Sequence, residues 1–176
     1  MSKIISYEQS EAREQQSAAV EVIENKPYAN SIEKERMIEA NPKRCYLMNE
    51  SIKSLPDLKH DRALDVACGN GYLTYLALMP NFDAVDLFDK APDAIEEVKE
   101  WSDKKSNIDR VDVARMEDYQ FEATYTLIAL NWCTGYLDDE QLVTFLKKCK
   151  AALGENEWPS GCLVVLDNEP DAEICS

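Results

Sequence analysis

From Arg62 onward the chain alternates between two hydrophobic rhythms. ALDVA (Ala63–Ala67) is a short apolar run closed by glycines and reads as a buried strand. YLTYLALM (Tyr72–Met79) follows as a helix. FDAVDLF (Phe82–Phe88) alternates and predicts a second strand. The next helix has Pro92 near its first position and repeats apolar residues at Ile95, Val98 and Trp101. Ile108–Ala114 predicts a third, weaker strand, and TYTLIAL (Thr124–Leu130), rich in β-formers, a fourth. DDEQLVTFLKKCKAAL is acidic at its start and basic near its end. It aligns Leu142, Phe145, Leu146, Cys149 and Leu153 on one face, and Gly154 can stop it. GCLVVLD (Gly161–Asp167) is the last strand.

Before Arg62 the pattern is helical. Glu8–Glu24 is weakly amphipathic, and Pro27 breaks it. Asn30 and Ser31 can cap a second helix, which ends at Pro42. A third helix places Cys45, Met48, Ile52 and Leu55 in one stripe suited to packing on a sheet, and Pro56 stops it. Strands alternating with helices predict an α/β fold. The expected sheet is mostly parallel, has about five strands, and carries helices on both faces through right-handed crossovers. Residues 1–60 form a helical N-terminal extension and residues 61–176 the core, together one domain.

Charge and cysteine usage narrow the setting. The formal net charge is −15, which disfavours direct nucleic-acid binding and would attract a basic partner, unless it only makes the surface soluble. The six cysteines are scattered, without the spacing of a zinc site, so no metal is expected. Several lie in apolar stretches as small buried hydrophobes, which predicts reduced thiols in a reducing compartment. No apolar run approaches the roughly 20 residues of a membrane span, and the N-terminus lacks the apolar core of a secretory signal. The expected location is therefore the cytoplasm, or the nucleus. His60, the single histidine, sits in a polar linker as a surface residue.

The candidate chemistry centres on Asp65-Val-Ala-Cys-Gly69-Asn-Gly71, where a strand gives way to a helix. Such a turn needs residues without a Cβ, so that the chain can bend and a ligand can lie against it. A dinucleotide fingerprint wants a third glycine, where Thr74 stands, and it would not open on a carboxylate such as Asp65. A ligand with a cationic end, S-adenosylmethionine, fits Asp65 better. Asp86, near the end of the second strand, is expected to accept both hydroxyls of a ribose, with Asp89 as a rival that more simply caps the next helix. Met116 and Glu117 either flank an adenine or belong to an ordinary acidic loop. Trp132, from the residues alone, reads as a core anchor where helix meets sheet.

ALDVACGNGYLTYLAL, AVDLFDKAPDAIEEVKE, LIALNWCTGYLDDEQLVTFLKKCKAAL and LVVLDN together resemble the Rossmann-like core of class I S-adenosylmethionine-dependent methyltransferases. Asn131-Trp132, then Gly135-Tyr136-Leu137 and Asp139, followed by FLKKCKAAL and Asp167-Asn168, resemble the protein α-N-terminal methyltransferases, which act on proteins beginning Xaa-Pro-Lys. The likeness runs from Ala63 to Cys175. It implies that Gly69 and Gly71 pass under the cofactor, Asp86 holds the ribose, Met116 and Glu117 flank the adenine, and Asn131 stands near the methionine moiety. It also implies that Trp132 stacks on the substrate N-terminus, that Tyr136 replaces a histidine in the substrate channel, and that Asn168 orients the amine with Asp167 beside it. The implied partner is a basic protein N-terminus or peptide.

The chain departs from the family at Ala67, where the first glycine of the motif stands, and at Tyr72, in place of a basic residue that pairs with the methionine carboxylate. The sequence ends eight residues after Asn168, where the family continues with two more strands. An exposed last strand, open to a partner at the sheet edge, is therefore expected. Two other readings stay open: a class I methyltransferase on another substrate, and a non-catalytic binding or regulatory relative.

Overall fold

A computed structural model describes residues 43–103, 105–153 and 161–167. The two predicted N-terminal helices, Gly154 and Asn168 lie outside the described residues, as does everything after Asn168. Residues 43–53 are helical (α1). Strand β1 is Arg62–Val66, and a short helix with π turns over Thr74–Leu78 follows (α2). Then come β2 (Ala84–Asp89), α3 (Pro92–Ser102), β3 (Ile108–Val113), β4 (Leu127–Asn131), α4 (Asp139–Ala152) and β5 (Cys162–Leu166).

The strands form one five-stranded sheet in the order β3-β2-β1-β4-β5, and every pairing is parallel. Chain order runs outward from β1 in one direction and then restarts beside it at β4. That reversal opens a crevice at the carboxyl ends of β1 and β4, the place where open α/β sheets bind ligands.

Period-2 alternation assigns the strand residues to two cores. Ala63, Val85, Leu127 and Ala129 face α1 and α2, against Cys45, Met48, Ile52 and Leu78. Leu64, Val66, Phe88, Ile128 and Leu130 face the other way, against Phe145 and Cys149 of α4. Each such buried large side chain contributes about 1.5–3 kcal/mol. Helix α4 begins with a capping box. The Gln141 amide donates to Asp138 Oδ1 at 2.8 Å, and the Asp138 amide donates to Gln141 Oε1 at 3.1 Å.

All five strands fall where the sequence reading put them to within a few residues, and β2 and β4 differ most. Strand β2 starts at Ala84 and ends on Asp89, rather than running from Phe82 to Phe88. Strand β4 starts at Leu127, because Thr124–Thr126 turn toward β1 and α4, where the Tyr125 amide donates to Ala152 O and the Thr126 amide to Arg62 O, both at 2.9 Å. The loop before β4 carries an aromatic cluster, with Tyr119 stacked on Phe88 at 3.8 Å between ring centroids and Phe121 edge-on to Tyr119. That packing anchors the segment containing Met116. Among the described residues β5 pairs on one side only, and its Val165 is exposed.

Candidate functional site

The crevice holds a cavity of about 330 Å³, within the range of small-ligand sites. Its walls come from the carboxyl ends of four adjacent strands: Ala114–Glu117 after β3, Asp89–Ala91 at the end of β2, Ala67–Asn70 after β1, and Asn131–Trp132 at the end of β4. Tyr136 and Leu137 close the mouth. Ala67 (φ +52°) and Trp132 (φ +56°), the two described non-glycine residues with left-handed backbone, both line this cavity. Such conformations cost about 1–3 kcal/mol each and cluster at functional sites.

The two glycines of the turn do different jobs. Gly69 lines the cavity at φ +55°, and a Cβ added there would meet nothing within 4 Å. It leaves an open floor on which a ligand can rest. Gly71 does not line the cavity. A Cβ there would lie 2.5 Å from Cζ2 of Trp101, so Gly71 lets α3 pack against the turn, where the Trp101 indole also donates to Asn70 O at 3.2 Å. The expectation that Gly71 underlies a ligand is corrected on that ground.

The expectation for Asp86 is corrected as well. That residue lies three residues before the carboxyl end of β2, on the face of Phe88, and does not line the cavity. Asp86 is 1% exposed, and both its oxygens are taken up inside the protein: Arg62 Nη1 donates to Oδ1 at 2.6 Å and the Tyr125 hydroxyl to Oδ2 at 2.8 Å. Arg62 also pairs with Asp109 on β3. Asp86 therefore ties β1, β2 and the entry to β4 together as a structural ion pair. The acid on the cavity is Asp89, the last residue of β2. Its Oδ2 accepts the Gly69 amide at 2.8 Å and its Oδ1 the Ala91 amide at 2.9 Å. Each oxygen keeps a further lone pair for a vicinal diol. Asp89 lies 20 residues after Gly69, close to the spacing expected of a ribose-binding acid.

Asp65 forms part of the cavity wall, 1% exposed, and accepts the Thr74 hydroxyl at 2.6 Å. Burial pushes its pKa up to about 7. The Thr74 bond opposes that shift and the charge of Asp89 adds to it. Met116, nearly buried, and Glu117 line the β3 end. The Arg115 guanidinium, 2.7 Å away, holds the Glu117 carboxyl below the usual range. Lys148 Nζ donates to Glu117 O at 2.8 Å and pins the loop to α4.

Asn131 and Trp132 line the β4 end, with Trp132 36% exposed rather than buried as a core anchor. Tyr136, 67% exposed, carries the Lys90 ammonium 4.7 Å from its ring, so the two side chains meet across the mouth. Asp167 is exposed beyond β5 and does not line the cavity. It accepts the Thr134 amide at 3.2 Å and the Thr134 hydroxyl, bracing the turn that follows Trp132. Asn168 lies outside the described residues. One residue had no signal in the sequence: Arg44 of α1. Its Nη1 donates to Asn131 Oδ1 at 3.2 Å, and its guanidinium sits 4.3 Å from the centroid of the Trp132 ring. Burial lowers its pKa and Asp167 acts against that.

The sequence and the fold have counterparts among known proteins. Alpha N-terminal protein methyltransferase 1 of Caenorhabditis elegans is 35% identical over 114 residues, covering 64% of this chain and 47% of that protein. N-terminal Xaa-Pro-Lys N-methyltransferase 1 of Danio rerio is 32% identical over 108 residues, covering 60% and 47%. This chain spans about half the length of the curated relatives it matches. Among solved structures, a SAM-dependent methyltransferase of Leishmania major superposes with a TM-score of 0.69 at 27% identity, over 86% of this chain and 60% of that one. The N-methyltransferase NodS of Bradyrhizobium japonicum, solved with S-adenosyl-L-homocysteine, shares the fold at a TM-score of 0.62 and 20% identity, over 88% and 71%. Residues 32–175 match a single family over most of the chain, and the protein belongs to it: the AdoMet dependent proline di-methyltransferases.

Proposed function

We propose that this chain binds S-adenosylmethionine across the carboxyl ends of β3, β2, β1 and β4 and methylates the α-amino group of a protein N-terminus of the Xaa-Pro-Lys type. The observation that carries the reading is Asp89 beside the open floor of Gly69, in a chain of this family. The cradle at Gly69 and the diol-matched carboxylate fit the cofactor's nucleoside. When bound, the cofactor supplies a methyl group on a cationic sulfur.

The remaining work falls to the chain's own residues. Asp89 grips the sugar, Met116 packs on the adenine face, and Glu117 meets its edge. Asp65 and Asn131 stand at the amino-acid end. Trp132 and Tyr136 form an aromatic rim at the mouth, suited to a proline-containing N-terminus, and Asp167 braces the turn that carries them. An α-amine has an ordinary pKa of about 7.7–8.0, so a sizeable neutral fraction exists at physiological pH. Positioning that neutral amine in line with the methyl contributes up to about 7–11 kcal/mol. The net charge of −15 favours a basic N-terminus as partner. The free thiols of Cys45, Cys133 and Cys149, buried and held at high pKa, favour a cytoplasmic or nuclear setting.

The test is mass spectrometry of a peptide beginning Xaa-Pro-Lys after incubation with the chain and cofactor, beside the same peptide acetylated at its N-terminus. Methyl groups on the free α-amine and none on the acetylated peptide are expected. Methylation of a side chain with the α-amine untouched contradicts the reading.

A further inference from the structure

The strand order puts β1 between β2 and β4. The turn after β1 is therefore the floor of the cavity, and the ends of β2 and β4 are two of its sides. Neighbouring strands lie about 4.8 Å apart, so these two sides stand roughly 10 Å from each other. Lys90 follows the last residue of β2, Tyr136 belongs to the turn after β4, and both residues line the cavity. Their side chains meet, with the Lys90 ammonium 4.7 Å from the centroid of the Tyr136 ring. A cation from one side and an aromatic ring from the other thus bridge the cavity above the Gly69 turn.

The pair has the properties of a movable closure. Both residues are exposed, so core packing holds neither in place. Lysine carries its charge on a flexible four-carbon stem, and exposed side chains change rotamer within picoseconds to nanoseconds. An ammonium within about 6 Å of an aromatic centroid is drawn to the ring face, and at an exposed site this favours contact about two- to fivefold. Lys90 also stands within the field of Glu117 at the β3 end, whose carboxyl is held at low pKa by Arg115 first and by Lys90 to a smaller extent. When it leaves the ring, the ammonium therefore has a carboxylate on its other side.

We propose that the Lys90–Tyr136 contact is a clasp over the cofactor cavity, which opens each time an adenosyl ligand enters or leaves. This rests on the cofactor reading above and adds a kinetic step to it. A contact that forms both with and without ligand slows entry and exit alike, and so leaves the equilibrium affinity almost unchanged. A Lys90 that held the ligand itself would slow exit alone.

The test is the binding kinetics of S-adenosylhomocysteine on the immobilised full chain, followed by surface plasmon resonance. Lys90→Met keeps the apolar length of the side chain and removes its charge. It is expected to raise the association and dissociation rate constants together, each about two- to fivefold, and to move the Kd by less than about twofold. Lys90→Arg, which retains the cation, should stay near wild type. In a Tyr136→Ala chain, Lys90→Met should give no further acceleration, because the ring it acts on is already gone. Unchanged rate constants in Lys90→Met, or the same acceleration with and without the Tyr136 ring, overturn the clasp and leave the cofactor reading intact. Faster dissociation alone, with a matching loss of affinity, places Lys90 on the ligand and likewise overturns the clasp. A wild-type chain that binds no S-adenosylhomocysteine removes both.

Discussion

The backbone amide of Gly69 donates to Oδ2 of Asp89 across 2.8 Å, joining the turn after β1 to the last residue of β2. This bond fixes one carboxylate oxygen directly beside the one glycine of the turn whose Cα faces open space. The cavity floor and the group that would hold a sugar are therefore positioned by each other. Neither depends on a flexible side chain finding its place when ligand arrives.

Replacing Asp89 by Ala removes both lone pairs offered to the diol. We expect S-adenosylhomocysteine affinity to fall by about 1–3 kcal/mol, together with a smaller loss of stability from the orphaned Gly69 amide. Calorimetry and thermal unfolding measure the two effects. Unchanged affinity would remove Asp89 from the site.

Asp86→Ala should behave in the opposite way. It leaves the Arg62 guanidinium with Asp109 alone and takes the acceptor from the Tyr125 hydroxyl. Losing the acceptor of two such bonds, one of them charged, costs about 1–3 kcal/mol. A drop in unfolding temperature is expected, with near-normal cofactor affinity in the folded fraction. A selective loss of affinity at unchanged stability would contradict the assignment.

The two turn glycines offer a further contrast. Gly71→Ala forces a methyl group into Trp101 at a left-handed position, and should cost about 2 kcal/mol or more of stability. Gly69→Ala carries only the backbone strain, about 1–2 kcal/mol, but raises the cavity floor. Denaturant titration should show Gly71→Ala as the less stable variant and calorimetry should show Gly69→Ala as the weaker binder. The reverse pattern would mean that the ligand passes over Gly71.

Asp65 makes stability depend on pH with a definite sign. Its folded pKa of about 7 exceeds the ordinary 3.8, so between those values the folded chain holds a proton that the unfolded chain has lost. Stability from this group is then present at the acid end and lost as pH rises through 7, at a rate of up to about 1.4 kcal/mol per unit. Asp65→Asn should flatten that slope in chemical denaturation followed from pH 5 to 8. A cationic ligand favours the ionised form, so affinity for S-adenosylmethionine should rise with pH relative to neutral-sulfur S-adenosylhomocysteine. A wild-type slope identical to that of Asp65→Asn would show that Asp65 titrates normally.

Most of the architecture was legible because it is written in local periodicity. The five strands, the helices between them and the glycine turn all follow from runs of apolar residues and the positions of Gly and Pro. The pattern points to Asp86 rather than Asp89 as the acid on the cavity because FDAVDLF alternates from Phe82, which makes Asp86 look like a strand end. The strand in fact runs from Ala84 to Asp89, and a three-residue shift along β2 exchanges one face of the sheet for the other. The partners that claim Asp86 lie 24 and 39 residues away, beyond the reach of any local pattern. Gly71 hides its role in the same way, since its constraint comes from Trp101 on α3, one strand further along the chain. Arg44 stands 87 residues from Asn131, and nothing on its own helix distinguishes it from a solvated surface arginine. From the residues alone Trp132 reads as a core anchor, and the structure instead puts it on the cavity wall, 36% exposed and with left-handed backbone.

Every role proposed for the cavity residues requires an adenosyl ligand in the crevice between β1 and β4. Titrating S-adenosylhomocysteine into the purified chain by calorimetry tests this most directly. Saturable one-to-one binding in the micromolar range, abolished or strongly weakened by Asp89→Ala and preserved in folded Asp86→Ala, is the predicted result. No heat at millimolar ligand, or equal binding by wild type and Asp89→Ala, would contradict it.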